Sequence, residues 1–106
     1  MPKYVLQVSY TAEGARGVAK DGGSKRRDAA RALVESLGGK LEAFYFAFGE
    51  ADVIAICDMP DAASAAAASM AVAASGGAAP RLTPLLTPEE IDTAAKKTAT
   101  YTPPGR

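Results

Sequence analysis

Along Lys3–Tyr10, the side chains of Tyr4, Leu6, Val8 and Tyr10 alternate with those of Val5, Gln7 and Ser9. A period of two, rich in β-branched and aromatic residues, predicts a strand. The period then lengthens. Ala12, Ala15, Val18 and Ala19 recur at helical spacing after Thr11, a residue suited to cap a first turn, and the run stops at Gly22-Gly23. Ser24 is placed to cap a second stretch, whose stripe is Ala29, Ala30, Leu33, Val34 and Leu37 and whose end is Gly38-Gly39. The two read as one broken helical segment. Leu41–Phe48 returns to period two, with Phe44, Phe46 and Phe48 on one face and Leu41, Ala43, Tyr45 and Ala47 on the other. After a short turn at Gly49-Glu50-Ala51-Asp52, Val53–Cys57 is apolar on both faces, which suits a central strand. So short a connection implies an antiparallel hairpin.

Asp58-Met59-Pro60-Asp61 opens the next helix, with the proline in its first turn. This helix runs to about Ser75, is almost all alanine apart from Met70 and Val72, and stops at Gly76-Gly77. Arg81–Leu86 reads as a short edge strand, because Pro84 has no N–H to give to a ladder. Thr87-Pro88-Glu89-Glu90 has the form of a capping box and starts a last helix, apolar at Ile91, Ala94 and Ala95, that fades near Thr98. One domain is expected over residues 1–99, followed by a polar, proline-rich tail at 100–106 that is either loose or laid on a neighbour.

The order of elements predicts an α+β fold of ferredoxin-like β-α-β-β-α-β plan with an extra C-terminal helix. Right-handed crossovers place both main helices on one face of the sheet. The other face is then bare, and still apolar in the second and third strands. Covering it with the same face of a second chain is the common remedy, so a homo-oligomer is expected, a dimer or higher.

Charge and composition narrow the function classes. Twelve basic residues balance twelve acidic ones, so no overall field draws the chain to nucleic acid or to an anionic membrane. No secretory leader or membrane-spanning run is visible, and the expected compartment is the cytoplasm. With no histidine and a single cysteine, Cys57, the chain has no means to build a histidine zinc site, a Ser-His-Asp triad or an internal disulfide, and no cofactor is expected. Cys57 reads as a small buried hydrophobe. Charge is unevenly spread: Arg16–Arg31 carries a net +4 and the remainder −4.

Several stretches together resemble the GYD domain family of small bacterial proteins. They are Lys3-Tyr4 with Gln7-Val8-Ser9-Tyr10, Gly22-Gly23-Ser24 with Arg26-Arg27, Leu37–Glu42, Phe44–Gly49, Thr83–Glu90 and Tyr101–Gly105. The motif behind the family's name reads here Gly49-Glu50-Ala51-Asp52, with alanine where tyrosine is usual. The resemblance implies a ferredoxin-like fold, paired as a dimeric α+β barrel, and no established activity.

Three groups of residues are candidates for chemistry. Glu50 and Asp52 are paired carboxylates on a turn, suited to a weak general-base or metal role, or simply to hairpin hydrogen bonding. Two carboxylates without further ligands do not define a metal site. Ser24, Arg26 and Arg27 stand at a helix start, where amides, a hydroxyl and guanidinium groups suit a small anion; the plainer reading is a capped helix with a solvated basic face. Gln7 and Ser9, with Tyr4, Tyr10 or Tyr45 at the mouth, line a pocket between paired sheets or form a hydrogen-bonded polar layer. The Phe44–Phe48 aromatics lack the basic-glycine context of an RNA-binding strand and read as packing.

Three functions fit these features. The first is a non-catalytic homo-oligomer that binds a small molecule or assembles. The second is a cofactor-independent enzyme with Asp52 or Glu50 as base and a tyrosine hydroxyl beside it. The third is an anion- or partner-regulated interaction protein using Arg26 and Arg27.

Overall fold

A computed structural model describes residues 1–106 and has four strands and four helices. In chain order these are β1 (Lys3–Tyr10), α1 (Ala12–Asp21), α2 (Gly23–Ser36), β2 (Lys40–Phe46), β3 (Val53–Asp58), α3 (Ala62–Ala74), β4 (Ala78–Leu85) and α4 (Pro88–Ala95). The strands form one sheet in the order β2-β3-β1-β4, and every neighbouring pair is antiparallel. The molecule is thus mixed α+β, with the strand order that a split β-α-β plan requires.

The helical break falls at Gly22, whose φ of +84° needs glycine. Thr11 caps α1 by accepting from the Gly14 amide. Gly22, not Ser24, occupies the N-cap of α2, and no side chain caps that helix. Ser24 lies two residues past the cap, already inside the helix. Pro60 is likewise outside α3, because Asp61 takes the N-cap and accepts from the Ser64 amide at 2.7 Å.

β2 differs from strict alternation. Leu41 pairs with Cys57 and Ala43 with Ile56, so Glu42 is an extra residue bulged out of the ladder. The bulge returns Leu41 to the face of Phe44 and Phe46, opposite to the placement that unbroken alternation gives. Phe44 and Phe46 meet edge to face, with centroids 5.4 Å apart. β2 stops at Phe46, and Phe48 lies in the following bend, fully exposed rather than packed. β4 is longer than Pro84 suggested and starts at Ala78, opposite Tyr10. Pro80 and Pro84 have the same parity on an edge strand, so both missing N–H groups fall on its outer side.

All the helices that pack do so on one face of the sheet. There Tyr4, Cys57, Met59, Val34 and Ala65 form one buried cluster, and Val8, Val53 and Ala55 form a second. α2 sits over β2 and α3 over β4, and the two do not close over the strands between them. Only ten of the 106 residues are buried, so the core is thin and both sheet faces retain accessible apolar surface.

Candidate functional site

The gap between α2 and α3 is a groove of about 480 Å³. Its floor is Leu6 and Val8 of β1, Val53 and Ala55 of β3 and Leu82 of β4. One wall is α3, contributing Ala65, Ala68, Ala71 and Val72, and alanine is the reason the space is left over. The facing wall is α1 and α2, with Gly17, Val18, Ala30 and Leu33. Size and lining match those of small-molecule sites, which are concave, mostly apolar and hold few polar groups.

The polar groups are Tyr10, Glu13, Asp21, Arg26 and Ser75. Asp21 is paired with Lys25 at 3.7 Å. Arg26 is the single cation lining the groove, and no carboxylate lies within ion-pair distance of it. Its guanidinium lies beside the Tyr10 phenol. Burial raises the Tyr10 pKa above the usual value, Arg26 pulls it down, and Asp52 adds a smaller upward push. Asp52 is itself fixed, since its carboxylate accepts from the Tyr10 amide at 2.7 Å. Tyr10, Arg26 and Asp52, from three separate stretches of chain, therefore meet where the end of β1, the start of α2 and the β2–β3 hairpin converge.

The other sequence candidates lie elsewhere. Glu50 is exposed, and its backbone carbonyl accepts from the Ser9 hydroxyl at 3.2 Å. Ser24 and Arg27 are exposed, and Arg27 pairs with Asp28 at 3.2 Å. Gln7 and Ser9 are half-buried on the helix-free face, and Tyr45, also on that face, is 71% exposed. Arg26 is thus separated by the thickness of the sheet from Gln7, Ser9 and Tyr45. Cys57 lies in the first core cluster, and burial, followed by Asp58, pushes its thiol pKa up. No three metal-ligating side chains come together, and no helix is long and apolar enough to cross a membrane. Composition hinted at the groove only through the alanine content of α3, which is equally the signature of close helix packing.

Fold and site together define a small α+β protein with an apolar groove and one basic-phenolic corner. The GYD domain pattern matches residues 4–95 of the 106, and the chain belongs to that family. No curated protein and no solved structure matches it. At the position of the family's name motif Ala51 is buried, its backbone held in the hairpin beside the Asp52 amide, which donates to the Val8 carbonyl at 2.8 Å.

Proposed function

We propose that the protein is a non-catalytic, homo-oligomeric module that binds a small molecule with an apolar body and one anionic oxygen group. The body lies in the groove over Val8, Val53 and Ala55, and the anionic group meets Arg26 and the Tyr10 hydroxyl. The observation that carries this reading is the unpaired Arg26 guanidinium at the rim of an otherwise apolar groove. Such a guanidinium gives a carboxylate or sulfonate both charge and directed hydrogen bonds. We read the sheet as ferredoxin-like, with its helix-free face covered by a second copy.

The enzyme reading has less support. Asp52 is occupied by the Tyr10 amide, and Glu50 is exposed with no catalytic partner beside it.

The test uses anilinonaphthalene sulfonate, which has the proposed shape, displaced by medium-chain carboxylates. Saturable one-site binding is expected, weakened about tenfold by Arg26→Ala, the worth of a charge-assisted hydrogen bond. Unchanged affinity in Arg26→Ala, or no saturable binding at all, overturns the ligand class.

A further inference from the structure

We propose that residues Leu86–Arg106 of one copy form an arm that lies across the helix-free sheet face of a second copy, each giving its arm to the other. This rests on the homo-oligomeric part of the function proposed above and names the element that makes the contact. Four observations lead to it.

The arm has no support in its own chain. Every residue from Leu86 to Arg106 is exposed, and α4 buries none of its side chains. The molecule measures 56 × 33 × 22 Å with a radius of gyration of 16.8 Å, where a compact chain of this length has about 13 Å.

The arm is nevertheless built to be helical. Thr87 and Glu90 form a complete reciprocal capping box, with Pro88 in the first turn. A helix of eight residues is marginal in water even with good caps, so its stability must come from packing. The surface it offers is apolar: Leu86, Ile91 and Tyr101 are 65%, 50% and 68% exposed.

The helix-free face is the matching surface. Val5 pairs with Ile56, and Ile56 with Ala43; Gln7 pairs with Ile54, and Ile54 with Tyr45. All of these are half-buried except the exposed Tyr45, and Val5, Ile56, Ala43 and Ile54 form an apolar strip across β1, β3 and β2, with the Gln7 amide at its β1 end.

Charge selects the occupant. Arg81 stands next to Gln7 on this face, exposed and without an ion-pair partner. The first two turns of α4 carry Glu89, Glu90 and Asp92, and Glu90 is already engaged in the capping box. Glu89 and Asp92 are three apart and so lie on one side of the helix. A second copy therefore supplies both the apolar side chains and the carboxylates that the face lacks.

The experiment places a photoactivatable cross-linker at position 91 of the full chain, in an equilibrated equal mixture of ¹⁵N-labelled and unlabelled protein. Cross-links joining unlike isotopes, from position 91 to peptides containing Val5 or Ile54–Ile56, are the expected result. Like-isotope pairs alone, with the oligomer intact, would mean that the arm folds back on its own sheet and overturn the exchange. Links to the helix side overturn the docking site. A full chain that stays monomeric at every concentration removes the homo-oligomer reading as well. Separately, Arg81→Glu is expected to raise the dissociation constant of the oligomer about tenfold, with recovery when Glu89→Arg and Asp92→Arg are added. An unchanged constant overturns the ionic contact.

Discussion

Gly14 touches the backbone of Gly77, and a Cβ added at Gly14 would collide with the Gly77 carbonyl oxygen. That oxygen also accepts from the Thr11 amide at 3.0 Å, so one close approach joins the start of α1 to the α3–β4 connection. Gly14→Ala must therefore push two backbones apart and is expected to cost about 1–3 kcal/mol in denaturant unfolding. Gly17→Ala meets nothing, lies inside α1 and should raise the unfolding midpoint, by about 0.5–1 kcal/mol of helix propensity. Thr11→Ala removes the cap on Gly14 and a bond to the Gly76 carbonyl, a loss of about 1 kcal/mol. Three groups set the behaviour at high pH. The pKa of Cys57 is raised by burial, that of Tyr10 mainly by burial, and that of Lys3 by its hydrogen bond to Asp58 and then to Glu42. A raised folded-state value contributes stability that is complete below the unfolded-state value and is lost as pH rises through the folded one. Denaturant midpoints should accordingly fall from about pH 9 upward, the range where free thiols, phenols and amines titrate. Lys3→Met should blunt the upper part of that decline; an identical alkaline profile in this variant would show that the Lys3 bonds to Asp58 and Glu42 do not contribute.

At the scale of elements, period and punctuation were enough to find every strand and helix, because each hydrophobic run ends in Gly, Pro or a capping residue. They failed where a single residue breaks the count. The Glu42 bulge leaves no mark on alternation, yet it decides that Leu41 faces the helices. The first part of β4, Ala78-Ala79-Pro80, has little strand character of its own and is extended because Tyr10, Ser9 and Val8 pair with it. The site was half legible for the same reason. The basic run pointed to Arg26, but its meeting with Tyr10 and Asp52 depends on how three element ends converge. The groove itself is a consequence of α3, whose alanines seat it near the sheet but do not reach across to α2. Ala71 lies exposed on that wall. Ala71→Leu should cover apolar floor and stabilise the fold by about 1–2 kcal/mol. The same change should abolish binding of the naphthalene sulfonate; tight binding retained alongside the added stability would place the ligand elsewhere.

For the whole molecule, the ten buried residues and the extended arm describe a chain that completes little of its burial alone. Removing the arm by ending the chain at Leu85 deletes no residue of either core cluster. The truncated chain should keep its fold by near-ultraviolet circular dichroism and fall to a monomer in sedimentation. α4 has a further consequence. An eight-residue helix that its own chain does not pack is marginal in water, so under the proposed arm exchange its helicity rises with the fraction bound, by mass action. Mean residue ellipticity at 222 nm should then deepen as the protein is concentrated and relax on dilution, with no change in temperature or solvent. Dilution alone would release the arm and bare the strip around Ile54 and Ile56, making protein concentration itself the signal that exposes or covers that surface.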